Sequence, residues 1–201
     1  MPKRLFDLIF AGFALVVLAP VLVVVAIWVR WDSPGTVFFR QTRVGRDGRL
    51  FRIYKFRTMH AHAEKAGPAI TIGADTRITR SGSWLRRTKV DELPQFINVL
   101  RGDMSVVGPR PEVPNYVAMY PESVRERILS VRPGITDLAS IEFRDESSLL
   151  GHSSDPEQTY VEQILPVKLR YATEYAQSHT LWGDLKIIAR TVSILWINRP
   201  S

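Results

Sequence analysis

The residues best equipped for chemistry stand in one short stretch. Five basic side chains, Arg77, Arg80, Arg86, Arg87 and Lys89, fall between Asp75 and Asp91 with no acid among them. Asp91-Glu92-Leu93-Pro94 follows at once. Adjacent carboxylates after a basic cluster build an ion-pair network, or they set a charged nucleophile among groups that bind phosphate. Pro94 bears on the choice. Proline is tolerated inside a helix mainly in the first turn, which puts Asp91 and Glu92 at or near a helix N-terminus. A helix begun back at Thr88 would be kinked instead. Free amides and the positive dipole end hold a carboxylate ionised there and attract phosphate oxygens. An ionised aspartate facing phosphate among cations is what an acyl phosphate requires.

Two further groups of residues could serve the same chemistry. Prolines on both sides of Arg110 in Gly108-Pro109-Arg110-Pro111 pin the backbone and limit where the guanidinium points. That makes either a rigid turn with an exposed arginine or a preorganised fork for phosphate or a flat base. Seven basic residues run from Arg40 to Arg57 against one acid, Asp47. They read as a solvated or lipid-facing basic strand pair, or as a surface on which Lys55 and Arg57 line a phosphate site.

The elements that must position these groups begin with a membrane segment. No charge occurs from Leu8 to Val29. As a helix this run is about 33 Å long, enough for a hydrocarbon core of about 30 Å. A cleavable signal fits less well, because the run is long and Arg30-Trp31-Asp32 is no small-residue cleavage site. Pro20 removes a backbone donor in mid-run and crowds the Val16 carbonyl, so a kink is expected. Both flanks are basic, with Lys3 and Arg4 before and Arg30 and Arg40 after. Positive charge prefers the cytosolic side, and here both ends ask for it. A helix that enters, bends at Pro20 and returns satisfies both; from the residues alone a kinked spanning helix stays open.

After Asp32-Ser33-Pro34-Gly35, the runs Thr36–Phe39 and Leu50–Tyr54 flank Gly45-Arg46-Asp47-Gly48 and predict a hairpin. Residues 84–100 read as helix. So do residues 112–130, with a start near Pro121. Arg132-Pro133-Gly134 breaks the chain, and residues 145–158 read as a mobile loop. Asp155-Pro156-Glu157 starts the next helix, which Pro166 should bend or interrupt. In Leu181–Ile197, Leu185, Ile188, Val192, Leu195 and Trp196 recur at helical spacing, as core packing or as an interfacial helix with Trp182 and Trp196 at headgroup level.

The 201 residues suit one domain, with 45% apolar and 23% charged side chains arguing against disorder. The absence of cysteine excludes disulfides, thiolate metal sites and a cysteine nucleophile. A formal charge of +7 favours an anionic partner. The fold class expected is α+β, mainly helical with a short hairpin. Residues 1–35 form the membrane helix and 36–201 the catalytic part.

The order of motifs resembles the monotopic phosphoglycosyl transferases, the bacterial sugar transferases. The matching stretches include Asp32-Ser33-Pro34-Gly35, Lys55-Phe56-Arg57-Thr58-Met59, Leu85-Arg86-Arg87-Thr88, Asp91-Glu92-Leu93-Pro94-Gln95, Asn98 through Ser105, Val107-Gly108-Pro109-Arg110-Pro111 and Arg132-Pro133-Gly134-Ile135-Thr136. They span nearly the whole chain. The resemblance implies transfer of a sugar phosphate from a UDP-sugar to polyprenyl (undecaprenyl) phosphate, with a nucleoside monophosphate released and magnesium required. It implies Asp91 as nucleophile within an Asp91–Glu92 dyad, a covalent phosphosugar intermediate, and a first helix that is re-entrant at Pro20. On this reading Glu92, with Asp91, binds metal, or Glu92 handles a proton. Arg86 and Arg87 clamp phosphate, and Arg110 contacts the nucleotide. The site then faces the cytosol at the bacterial inner membrane among membrane lipids, without nucleic acid; a homodimer stays open.

Two departures stand out. Asp137 through Glu146 replaces the pattern many relatives show after Thr136, which leaves the sugar undefined, and Ala19 stands where the family break often carries serine. The rival reading is a membrane-anchored basic protein that binds nucleic acid or anionic lipid. Its support is the charge and the anchor; against it, the basic residues sit beside a carboxylate pair, and no nucleic-acid-binding motif is present.

Overall fold

The computed structural model describes residues 2–61, 63, 75–143 and 146–197. Helix α1 runs unbroken from Pro2 to Asp32 with Pro20 inside it. It is the described helix long and apolar enough to cross a membrane, with a mean hydropathy of 3.0. A stripe down one side of α1 packs on the rest of the protein. Ala11, Ala14, Leu15 and Leu18 meet Phe96 and Val99, and Leu22, Val25, Ala26 and Val29 meet Phe56 and Leu85. The spacing of three and four residues is that of one helix face. Phe13, Val16, Val17, Val23 and Val24 on the other side are exposed.

Both ends of α1 are tied to the same body. At the start, Asp7 accepts hydrogen bonds from Val106 N at 3.1 Å and Ser105 Oγ at 2.8 Å. Lys3 reaches Asp184 at 2.6 Å. At the far end, Asp32 accepts from Ser81 N at 2.9 Å and Ser81 Oγ at 2.8 Å, and Trp28 packs on Trp84 at 5.5 Å. At 1.5 Å per residue, the two anchor regions lie about 40 Å apart along the helix.

The expected hairpin is present and longer than the apolar runs suggest. β1 (Phe38–Val44) and β2 (Leu50–Phe56) pair antiparallel, with Phe38 opposite Phe56 and Val44 opposite Leu50. Asp47 and Gly48, both at positive φ, close the turn. The stretch read as one helix over 84–100 is three pieces. α2 (Arg80–Thr88) stops at Lys89, a tight 3-10 segment covers Val90–Gln95, and α3 (Phe96–Arg101) follows. The interruption has a cause: Lys89 adopts left-handed backbone with φ 58°, which cannot continue a helix.

β3 (Ser105–Val107) and β4 (Gly134–Thr136) form a short parallel pair. Their continuation needs glycine twice, because a Cβ on Gly134 would stand 2.1 Å from Gly108 N. The helix expected over 112–130 is two, α4 (Pro114–Ala118) and α5 (Glu122–Leu129), with Pro121 at the second N-cap.

The segment read as a mobile loop contains α7 (Glu146–Gly151) and α8 (Pro156–Thr159), after α6 (Leu138–Glu142). Asp155 caps α8 as expected, accepting from Gln158 N at 3.0 Å. The helix that starts at Pro156 is interrupted just ahead of Pro166, as expected. A π-helical segment, Tyr160–Ile164, precedes α9 (Leu165–Ser178), leaving the proline in the first turn of α9. α10 (Leu181–Ile197) packs through Asp184 and Ile187, while Leu185, Val192 and Trp182 are exposed. The core-packing expectation therefore fails for Leu185 and Val192. The side chains of Leu195 and Trp196 lie outside the described residues.

Candidate active site

A cleft of about 760 Å³ opens between the hairpin, the end of α2, the 3-10 segment, the Pro109–Glu112 strap, α6 and α9. Lys55, Arg86, Arg87, Asp91, Glu92 and Arg110 all line it. These six come from four separate parts of the chain. The hairpin brings Lys55, the end of α2 brings the arginines, and the 3-10 segment brings both acids.

The two neighbouring carboxylates are in opposite situations. Glu92 Oε1 accepts from Lys55 Nζ at 2.8 Å and Arg110 Nη2 at 2.6 Å, and its Oε2 accepts from Arg110 Nη1 at 3.3 Å. Burial disfavours its charge, but Arg110 and then Lys55 overcome that and hold the carboxyl well below the usual range. A carboxyl held ionised in this way is an acceptor rather than a donor of protons. The same pair raises Arg110 above an ordinary arginine, chiefly through Glu92.

Asp91 is also buried, yet its Oδ1 has no hydrogen-bond partner among the described residues. Burial first, and the Glu92 charge second, push its carboxyl up to about 6; Lys55, Lys89 and Arg86 pull the other way. An unsatisfied buried acceptor is costly and rare in folded proteins. Here it faces a cationic cleft, where an electrophile or a cation would satisfy it.

The arginines divide. Arg86 donates from Nε to Thr58 Oγ1 at 2.9 Å, and Asp91 is the acid that most favours its charge. Arg87 is exposed on the cleft wall. Arg110 is held from two directions, its backbone N–H on Asp137 Oδ2 at 2.9 Å and its guanidinium on Glu92. The two prolines do fix its course, but its fork is taken by a carboxylate.

Arg57 departs from the expectation. It is buried away from the cleft and donates to the carbonyls of Pro34 at 2.6 Å, Ser33 at 2.7 Å and Val29 at 3.4 Å. It closes the C-terminal end of α1, where carbonyls lack helical partners and the dipole favours a cation. Lys55 and Arg57 therefore do not share a phosphate site.

Sequence reasoning missed Lys89, Asp137 and the Arg43–Glu112–Tyr160 group. Tyr160 Oη donates to Glu112 Oε1 at 2.8 Å, and Arg43 lies 3.5 Å from Glu112 Oε2. Lys89 was visible as the last cation before Asp91. The others are distant in sequence and carried no signal. The atypical stretch after Thr136 also reaches the cleft through Asp137, Ser140 and Phe143; its Arg144 and Asp145 lie outside the described residues.

No group of three or more His, Asp or Glu stands close enough to hold a metal among the described residues. Magnesium does not need one. It keeps several waters and is held by one or two carboxylates together with substrate phosphates. The Asp91 carboxylate fits that mode, whereas Glu92 would first have to release Lys55 and Arg110.

Comparison with known proteins gives the class. Residues 1–198 match the family described as bacterial sugar transferase. The UDP-N-acetylgalactosamine-undecaprenyl-phosphate N-acetylgalactosaminephosphotransferase of Aeromonas hydrophila is 35% identical over 94% of this chain and 42% of its own length. The UDP-glucose:undecaprenyl-phosphate glucose-1-phosphate transferase of Caulobacter vibrioides is 38% identical over 96% of this chain and 69% of its own. The exopolysaccharide production protein PSS of Rhizobium leguminosarum is 40% identical over 94% and 92% respectively. The chain thus spans less than half of the Aeromonas protein and nearly all of the Rhizobium one. This chain belongs to the bacterial sugar transferase family.

Proposed function

We propose that the chain transfers a sugar phosphate from a UDP-sugar to polyprenyl phosphate, undecaprenyl phosphate in bacteria, through a covalent intermediate on Asp91. The observation that carries this reading is the buried Asp91 Oδ1, without a hydrogen-bond partner among the described residues, in a cationic cleft beside a carboxylate already neutralised by Lys55 and Arg110. Phosphoryl transfer asks a protein mainly to position groups and neutralise charge.

Asp91 Oδ1 attacks the phosphorus next to the sugar. One oxygen–phosphorus bond forms there, and the bond to the bridging oxygen breaks, so UMP leaves with that oxygen and its electron pair. A phosphate oxygen of the polyprenyl acceptor then attacks the same phosphorus. The acyl-phosphate bond breaks, and Asp91 returns to a carboxylate. Arg86 and Arg87 neutralise the phosphates. Lys55 and Arg110 are kept in place by Glu92, and Arg110 contacts the nucleotide from that position on the cleft wall. The Asp91 oxygen that does not attack would hold magnesium, which would supply positive charge to the diphosphate.

The same reading places residues 1–35 in the membrane and 36–201 on the cytosolic face of the bacterial inner membrane. Attachment of α1 to one body along its length supports entry and exit by one face, with the exposed side of the helix toward lipid.

Protein held in nanodiscs is incubated with magnesium, polyprenyl phosphate and UDP-sugars labelled in the sugar. Label is expected in the lipid phase with UMP released, and neither in Asp91→Asn. UMP without labelled lipid would indicate water as acceptor. No turnover of any donor would return the chain to a binding role.

A further inference from the structure

Lys89 joins α2 to the segment that carries Asp91, and its backbone is left-handed, with φ 58°. Its N–H bonds to Arg86 O at 3.3 Å, ending α2 in the manner glycine usually does. The turn alone therefore selects glycine or asparagine. A lysine there carries strain that its backbone role does not explain, and strain of this kind gathers where a side chain must be aimed. The side chain lines the cleft. Asp91 and Glu92 both feel its charge.

Three neighbouring cations of the cleft are committed. Lys55 and Arg110 hold Glu92, and Arg43 faces Glu112. Lys89 makes no ion pair or side-chain hydrogen bond among the described residues, and it is half-buried rather than out in solvent. An ammonium in that position keeps its donors for something that enters.

Resting on the transferase reading above, we propose that Lys89 is a substrate-contacting residue whose ammonium binds the phosphate attached to the sugar, the one Asp91 attacks. Lys89 and Asp91, two residues apart, line the same cleft. A lysine is a movable point charge, able to follow the phosphoryl group from donor to Asp91 and on to the acceptor.

Four variants test this: Lys89→Gly, Lys89→Asn, Lys89→Gln and Lys89→Arg. Glycine and asparagine both accept the left-handed backbone, so neither should melt below the wild type. Binding of UDP and of UMP is measured by calorimetry, independently of turnover. UDP affinity should fall about 10-fold or more in the Gly, Asn and Gln variants, as loss of a charged hydrogen bond implies. UMP affinity should fall less, and Lys89→Arg should stay within about 3-fold of wild type for UDP. In turnover assays kcat/KM for the donor should fall in parallel. Wild-type affinity for UDP in Gly, Asn and Gln together would overturn the proposal, as would equal losses for UDP and UMP. Failure of the transferase reading looks different: wild-type protein would then turn over no donor, whatever its affinity for UDP.

Discussion

Asp91 and Glu92 are adjacent in the chain, yet Glu92 holds two cations at 2.8 and 2.6 Å while Asp91 Oδ1 has no hydrogen-bond donor among the described residues. One carboxylate organises the cleft and the other is left available. Their contrasting surroundings push one carboxyl down and the other up to about 6. Environments that drive two neighbouring acids apart are how folds assign separate roles to like residues.

The first consequence concerns stability. A carboxyl raised on folding binds its proton more tightly in the folded state. Its contribution to stability therefore falls as pH rises from about 4 to about 6 and stays at the lower level above that. Asp91→Asn removes the ionisation. In metal-free buffer at pH 8 the variant should be more stable than wild type, by up to about 2 kcal/mol. The gain should shrink towards pH 4. Thermal melts across that range check it; a variant less stable at every pH would contradict the burial assigned to Asp91.

Glu92→Gln should act in the opposite direction. It leaves Lys55 and Arg110 buried without their counter-charge, at a cost on the order of 3 kcal/mol. Replacing Lys55 by Met in the same background should recover part of that loss, because one orphaned cation goes with it. Melting temperatures of the two single variants and the double variant give the coupling directly.

Arg57→Ala should lower stability by about 1–3 kcal/mol, through three carbonyls left without their donor. It should leave KM for the donor within about twofold of wild type, since the side chain is not on the cleft. Arg86→Ala should do the reverse, raising KM or lowering kcat by about 10-fold or more for a modest stability change. Steady-state kinetics beside melts of both variants separate the two arginines.

That pair also marks how far the sequence could be read. Lys55, Arg86, Asp91, Glu92 and Arg110 were all picked out, because charged residues beside prolines and a helix start carry their chemistry on the page. Arg57 looked no different from Lys55, two residues before it. Its partners are backbone carbonyls of Val29, Ser33 and Pro34, which every sequence supplies and none advertises. The break at Lys89 was silent for a related reason: lysine is a good helix former, and only the fold imposes a left-handed residue there. The packed side of α1 was equally hidden. With apolar residues all round, no period distinguishes Ala11, Leu18, Val25 and Val29 from the residues facing outward.

The topology of α1 yields the last prediction. A spanning helix would carry its two ends to opposite sides of the membrane, beyond reach of one folded body. Here Asp7 is fixed to Ser105 and Asp32 to Ser81, and a packed stripe joins them. Releasing either end would strand a polar contact and expose core residues to lipid. The chain has no native cysteine, so single cysteines at Pro2 and Thr36, both exposed, report each end cleanly. With a membrane-impermeant thiol reagent, neither should label in intact cells, and both should label once the inner membrane is opened. Labelling of one site alone in intact cells would mean that α1 crosses the bilayer, and the contacts at one of its ends would then have to be absent in the membrane.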